Sequence, residues 1–342
     1  MKVMQVMAGG RHGGAEAFFT RLVTALADAG IDQQVTLRGA PERMTALREA
    51  GLSPLDLRFG GPLDLATRWR LAAACRRYDP DIVLSWMNRA TAISPRGPWL
   101  RVARLGGYYN LKYYRHCDHL IGNTRDIVDY LVREGWPADR AHYLPNFVET
   151  RPLPAVPRAE FDTPADAPLI LALGRLHPNK AFDTLLKAMA KVERAWLWLA
   201  GDGPDRRMLE ALAVEAGVAG RVRFLGWRED VSALFAAADI FVCPSRHEPL
   251  GNVVIEGWAH GRAVVAARSA GPESLIEDGA TGLLTPIDDV EAMAAALNRV
   301  VADRELRDRL AVAGEAAYRA RFTREVVVRQ YRDFFERIVG GR

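Results

Sequence analysis

The chain is poor in what several protein classes require. Its 342 residues include only three cysteines. Cys75, Cys117 and Cys243 lie far apart with no C-x-x-C spacing. That argues against a disulfide framework or a structural zinc site and suits a reducing cytoplasm. No stretch reaches the roughly 18 apolar residues that span a bilayer. The longest apolar runs, near 169–173 and 240–243, have the length of buried strands. The run 1–7 is too short for a signal peptide and flows directly into glycines. There is no internal repeat at a fixed period and no low-complexity tract. The net charge is only +4, from 46 Lys and Arg against 42 Asp and Glu, far short of a protein that coats nucleic acid. What is present is ordinary: 49% apolar and 26% charged residues, in a chain long enough for two cores. The expectation is a cytoplasmic protein of two domains.

Short apolar runs alternate with helical patterns, the signature of parallel sheets covered by helices. Strands are expected at 3–7, 35–37, 82–85 and 119–122. A helix over 15–29 has Phe18, Phe19, Leu22, Val23 and Leu26 on one face, and Gly30 stops it. Pro152, Pro154 and Pro157 then exclude a helix or central strand and read as a linker. A second series follows, with strands at 169–173, 196–199, 222–225, 240–243 and 263–266. Helices are expected at 182–192, 205–216 and 252–259. The tail from 289 is helical and ends in an amphipathic segment, 324–338. The fold class is therefore α/β: two doubly wound, Rossmann-like domains, 1–150 and 158–323, facing a central cleft that is the natural ligand site.

Three constellations fall at strand ends. Gly9-Gly10-Arg11-His12-Gly13-Gly14 leads from the first strand into a helix N-terminus, where backbone N–H groups favour an anion. Its spacing is neither G-x-G-x-x-G nor a Walker loop, which leaves a tight turn as the alternative and disfavours a dinucleotide dehydrogenase. Gly174-Arg175-Leu176-His177-Pro178-Asn179-Lys180 follows the first strand of the second domain. Two cations so placed suit a diphosphate better than a single carboxylate, unless they are simply surface residues. In Ser245-Arg246-His247-Glu248-Pro249-Leu250-Gly251-Asn252-Val253-Val254-Ile255-Glu256, one glutamate lies on a strand–helix loop and the other on the helix. A carboxylate accepts from two vicinal hydroxyls, which fits Glu248 to a sugar ring and Glu256 to a ribose. The alternative is a solvated helix face.

These segments, together with Gly201-Asp202-Gly203-Pro204, Ala270-Gly271-Pro272-Glu273 and the glycines of 278–284, resemble the retaining GT-B glycosyltransferases of family 4. The resemblance implies a C-terminal helix, 324–342, crossing back to the first domain. It implies that the first domain binds the acceptor and the second a nucleotide diphosphate sugar, a UDP-sugar by default. Arg175 and Lys180 would hold the diphosphate, Glu248 the transferred sugar, and Glu256 the ribose. Gly174 opens the phosphate loop. The amides of Leu250, Gly251, Asn252 and Val253 would meet the sugar and phosphates. Gly13 and Gly14 would abut the diphosphate, and Trp227 would lie near the nucleobase. No metal and no further cofactor are implied, since the two cations and the helix end neutralise the leaving group.

One feature of many relatives is missing. The region after the middle strand of the first domain, 104–112, has no histidine; His116 and His119 follow it, the latter at the start of a strand. Tyr108, Tyr109 and Lys112, with Glu16 in the first helix, become the acceptor-site candidates. Residues 1–150 have 20 Lys and Arg against 15 Asp and Glu, so the basic excess lies in this domain. Arg96, Arg101, Arg104, Lys112 and Arg115, beside Trp99, suggest an anionic glycolipid or a peripheral position at the inner membrane face. The expected activity is metal-independent, retaining transfer of a hexose or N-acetylhexosamine to a glycan or glycolipid in bacterial cell-surface polysaccharide or lipopolysaccharide synthesis. A sugar-nucleotide-binding protein without transfer activity and an epimerase on the same fold are the alternatives.

Overall fold

Each apolar run becomes a strand because it is buried on both faces of a sheet, where a continuous β-branched or leucine-rich sequence packs well. A computed structural model describes residues 1–11, 13–61 and 64–341, so His12 of the glycine loop lies outside the described residues. The first sheet comprises β1 (Lys2–Met7), β2 (Asp32–Leu37), β3 (Leu55–Asp56), β4 (Ile82–Trp86), β5 (Leu100–Leu105), β6 (His119–Gly122) and β7 (Ala141–Tyr143). The second comprises β8 (Leu169–Leu173), β9 (Trp196–Ala200), β10 (Val222–Gly226), β11 (Ile240–Cys243), β12 (Ala263–Ala267) and β13 (Leu283–Thr285). All the pairings within the two sheets are parallel. The orders are β3-β2-β1-β4-β5-β6-β7 and β10-β9-β8-β11-β12-β13. Strand order therefore reverses at β1/β4 and at β8/β11, the points where such sheets open a ligand crevice beyond their carboxyl ends.

The chain divides into two compact units, Met1–Asn146 with Arg324–Arg342, and Phe147–Thr323. The division falls before 150, and the proline run 151–157 belongs to the second unit rather than standing free. The N–H of Val156 donates to Ala233 O at 3.2 Å, and Tyr318 Oη donates to Val148 O at 3.0 Å. Trp198 is fully buried, with its indole N–H donating to Thr163 Oγ1 at 2.9 Å, so it is a core residue.

β5 overturns part of the basic-surface expectation. Its sequence LRVARL carries Arg101 and Arg104, yet only 9% and 2% of their surface is exposed, and Trp99 is buried too. Arg104 is accommodated because its guanidinium is held by two hydrogen bonds and two aromatic rings. Nε donates to Tyr331 Oη at 2.8 Å and Nη2 to Asn146 Oδ1 at 2.5 Å. Its planar face lies 4.7 Å from the ring centroids of both Phe18 and Trp86. Tyr331 stands on the helix Arg324–Gly340, whose buried Val327, Tyr331, Phe334 and Phe335 make it part of the first unit's core. No helix among the described residues is long and apolar enough to cross a membrane.

Candidate active site

In the second unit the loops after β8, β9 and β10 are held against one another by backbone contacts. Gly174 N–H donates to Ala200 O at 3.0 Å, Leu176 N–H to Asp202 O at 3.0 Å, and Gly201 N–H to Gly226 O at 2.7 Å. Gly201 has φ 145°, and a Cβ there would collide with the Gly174 carbonyl, so only glycine permits this approach. Trp227, directly after Gly226, is 75% exposed. The β8 loop ends at Ala181, a fully buried residue with φ 51°. Alanine disfavours that conformation, and such strain is retained where the surroundings dictate it. It places Lys180 at the carboxyl edge of the sheet.

Lys180 meets Glu248 there. Its Nζ is 2.5 Å from Glu248 Oε2, and the two side chains are only 22% and 10% exposed. Glu248 Oε1 accepts from Gly251 N–H at 3.2 Å, and its carbonyl accepts from Gly271 N–H at 2.7 Å. Gly251 (φ 68°) starts the helix Asn252–Ala259, and a Cβ on Gly271 would lie 2.5 Å from Glu248 O. The Ala270-Gly271-Pro272-Glu273 segment therefore clasps the Glu248 loop. The Gly251 amide is committed to Glu248, so within 250–253 it is not a ligand donor in this state. Cys243, buried at the end of β11, is pushed up to about 11 by burial and then by the Glu248 charge. Glu256 is half-buried on the same helix. Arg175 is exposed and has no hydrogen-bond or ionic partner among the described residues.

A residue given no role from the sequence holds this arrangement. Arg246 donates to both carboxylate oxygens of Asp183, at 2.9 and 2.7 Å, and its Nε lies 2.6 Å from Asp288. Its Nη1 also donates to Pro178 O at 2.7 Å. One guanidinium thus ties the Glu248 loop to the Lys180 loop. Burial opposes the Asp183 charge, but the Arg246 hydrogen bonds outweigh it and keep the carboxyl below its ordinary range. The Arg246 guanidinium is correspondingly raised, chiefly by its hydrogen bonds to Asp183. Arg246 stood inside the quoted motif, but nothing in its spacing pointed to Asp183.

In the first unit the glycine loop folds around a carboxylate. Gly10 N–H donates to Glu16 Oε1 at 2.7 Å, and a Cβ at Gly9 or Gly13 would overlap the Glu16 side chain. Glu16 is 8% exposed, so its first task is to hold the loop. Gly14 differs: nothing lies within 4 Å of where its Cβ would stand. Arg43 donates to the carbonyls of Gly10 and Arg11 at 3.2 Å, and burial lowers its pKa against the opposing pull of Glu16 and Glu42.

Tyr108 and Tyr109 follow β5. Tyr108 Oη donates to Asp126 Oδ2 and its ring packs edge-on against Tyr130, 5.3 Å away. Burial and then that bond push its phenol up to about 12. Tyr109 is raised by burial and by the Glu16 charge, opposed by Arg104. Lys112 is exposed, with Nζ 5.0 Å from the Tyr113 ring centroid. His119 pairs with His142 at 3.0 Å beneath Phe334, and His116 with Arg96. Among the described residues no group of three or more His, Cys, Asp or Glu is placed to hold a metal ion.

The structure thus brings Gly174, Lys180, Glu248 and Gly251 together in one unit, and Gly13, Glu16 and Tyr109 in the other. The folds match proteins of the GT-B class. Anabaena HepE, solved in complex with UDP and glucose, superposes with a TM-score of 0.80, covering 98% of this chain and 99% of that one at 21% identity. Family models for glycosyl transferases group 1 and for Glycosyltransferase Family 4 match residues 167–303 and 12–151. Two proteins of Rhizobium meliloti are similar along nearly their whole length. The lipopolysaccharide core biosynthesis glycosyltransferase LpsE is 40% identical over 94% of this chain and 95% of its own, and LpsD is 36% identical over 100% of both. The chain belongs to glycosyltransferase family 4, and it is an enzyme of that class.

Proposed function

We propose that this glycosyltransferase moves a hexose or N-acetylhexosamine, with retention and without a metal ion, from a nucleotide diphosphate sugar to a hydroxyl of a lipopolysaccharide-core saccharide. The observation that carries the reading is the Lys180–Glu248 pair at the β8/β11 crevice, with Arg175 on the same loop as Lys180 and without a partner among the described residues. A departing diphosphate develops negative charge, and fixed cations in a partly dry site stabilise it. Arg175 and Lys180 fill that role. Glu248, pinned by Lys180 and Gly251, accepts from hydroxyls of the transferred sugar. Glu256 takes the ribose, and the exposed face of Trp227 takes the base. Gly174 keeps its loop close to the phosphates, and the amides of Leu250, Asn252 and Val253 complete the cradle.

In the step itself the anomeric C–O bond to the diphosphate breaks as the acceptor oxygen bonds to that carbon. The acceptor proton passes to the departing phosphate oxygen, so no histidine is required of the 104–112 segment. The UDP and glucose bound by HepE support a UDP-sugar donor, and the names of LpsE and LpsD support a lipopolysaccharide-core acceptor. Glu16 holds the glycine loop of the acceptor unit, while Tyr108, Tyr109 and Lys112 shape its surface.

Nucleotide release with UDP-sugars and core saccharides tests the reading. Glu248→Gln and Lys180→Ala should each lower turnover on the order of 10²-fold or more, and wild-type rates in both would overturn it. Chelators should leave turnover unchanged; a strict need for manganese or magnesium would contradict the leaving-group role of the two cations.

With Arg101 and Arg104 buried, a membrane-facing surface needs another location. The helix Leu65–Tyr78 has no acidic residue and exposes Leu65, Trp69, Arg70, Arg76 and Arg77. This combination suits a peripheral contact with an anionic leaflet at the inner membrane face. Sedimentation with phosphatidylglycerol vesicles should be lost at high salt and in Trp69→Ala. No sedimentation at low salt would end the idea.

A further inference from the structure

A cavity of about 390 Å³ lies in the first unit, against the start of the helix Leu65–Tyr78. Arg38, Arg68 and Arg89 line it, with Phe59 and Ile93 as apolar walls. Its place in the sheet is informative. Arg38 directly follows β2, Phe59 follows β3, and Arg89 stands on the helix Met87–Ile93 that continues β4. All three strands are parallel, so the cavity lies at their carboxyl edge and straddles β1, where strand order reverses.

The charges are unbalanced. None of the three guanidinium groups has a hydrogen-bond or ionic partner among the described residues. The single lining carboxylate, Asp64, is already used. It caps the helix Leu65–Tyr78 and accepts from Thr67 Oγ1 at 2.6 Å, Gly60 N–H at 2.8 Å and Thr67 N–H at 2.9 Å. These bonds, that from the Thr67 hydroxyl first, hold its carboxyl at about 2. A neighbouring cavity makes the contrast: Arg11 and Arg43 there face Glu16 and Glu42, and the charges cancel. Two strained backbone positions adjoin the cavity as well. Phe59 has φ 49° and Met87, beside Arg89, has φ 62°, conformations that bulky residues keep only under constraint.

We infer that this cavity is a subsite for an anionic group, phosphate or carboxylate, carried by the saccharide acceptor. Guanidinium forks match both anions bidentately, and three exposed ones lining a single concavity can share one anionic group. The apolar walls suit the carbon faces of a sugar ring. The link to the acceptor rests on the proposed transfer reaction; the preference for an anion does not.

Isothermal titration of the full-length protein tests it, using glucose 6-phosphate and galacturonate against their neutral parents, glucose and galactose. Saturating UDP keeps Arg175 and Lys180 occupied. At least one charged sugar should bind at least tenfold more tightly than its neutral parent. Arg38→Gln and Arg89→Gln should each weaken that binding about tenfold, with Arg89→Lys retaining part of it and UDP affinity unchanged in all three. Preference for the phosphate or for the uronate identifies which anion the acceptor carries. Equal binding of charged and neutral sugars, no binding of any, or wild-type binding by the double Arg38→Gln/Arg89→Gln variant would overturn the inference. Failure of UDP to bind the wild-type protein would instead sink the donor reading, while the charged-versus-neutral comparison, repeated in an Arg175→Ala/Lys180→Ala variant, still decides the anion subsite.

Discussion

Both units carry cations beyond the carboxyl ends of parallel strands, but the two sets are held differently. In the second unit Lys180 is paired with Glu248, and Arg246 is locked by Asp183 and Asp288, which leaves Arg175 as the open cation of the loop. In the first unit Arg38, Arg68 and Arg89 are all without partners among the described residues. A preorganised site stabilises charge that develops during reaction without rearranging at that moment, which suits a leaving diphosphate. Unpaired surface arginines suit a ligand that brings its own permanent charge. The pairing pattern is what the two proposals, a transfer site in the second unit and an anion subsite in the first, rest on.

The largest expected effect tests the paired side. Lys180→Ala leaves Glu248 buried without its cation and should destabilise the protein by about 3 kcal/mol. Arg89→Ala in the first unit should change stability by less than about 0.5 kcal/mol. Urea denaturation measures both, and equal losses would erase the distinction. Next come the glycines. Gly201→Ala should lower stability by about 2 kcal/mol through its collision with Gly174. Gly14→Ala, which meets open space, should leave the melting temperature in place. If Gly14→Ala nevertheless raises the donor KM, its backbone touches ligand.

Within the first unit, Tyr331→Phe removes a hydrogen bond to the buried Arg104 and should cost about 1.5 to 3 kcal/mol. A melting temperature equal to wild type would mean that Asn146 and the two aromatic rings suffice. The last test is one of pH. His142 is held at about 4, by burial first and by neighbouring His119 second, with Arg337 adding to the shift and Asp139 opposing it. Unfolded, it titrates near 6.5, so between pH 6.5 and 4 the unfolded chain binds more protons. Its contribution to stability is complete above that window and declines as pH falls through it. Melting temperatures from pH 7 to 4.5 should fall less steeply in His142→Phe than in wild type; parallel slopes would contradict the assignment.

Much of the second unit's candidate site was legible in the sequence because its residues sit in short, ordered segments whose spacing survives folding. Gly174, Lys180 and Glu248 do meet at strand ends, and the bounds of β6, β8 and β11 match the apolar runs. The first unit was less legible for physical reasons. β5 was hidden because LRVARL has an arginine at two of its six positions, and only the folded chain supplies Tyr331, Asn146 and Trp86 to bury one of them. The contact of Glu16 with its own glycine loop is local, yet the glycines read equally well as ligand space. The Arg38, Arg68 and Arg89 cavity gathers residues from the end of β2 and from the helices that follow β3 and β4, which no local pattern announces.

The helix Arg324–Gly340 gives the protein an inverted order of maturation. Synthesis delivers the first unit's strands early, but Tyr331, Phe334 and Phe335 come last, after the whole of the second unit. The second unit is continuous in the chain and can close as soon as Thr323 is free of the ribosome. Until then the first unit waits with Arg104 lacking one of its partners and with an uncovered apolar face. At roughly 5–20 residues per second that wait lasts on the order of ten seconds or more. A nascent molecule therefore carries its first unit with one apolar face still uncovered while the second unit is being made.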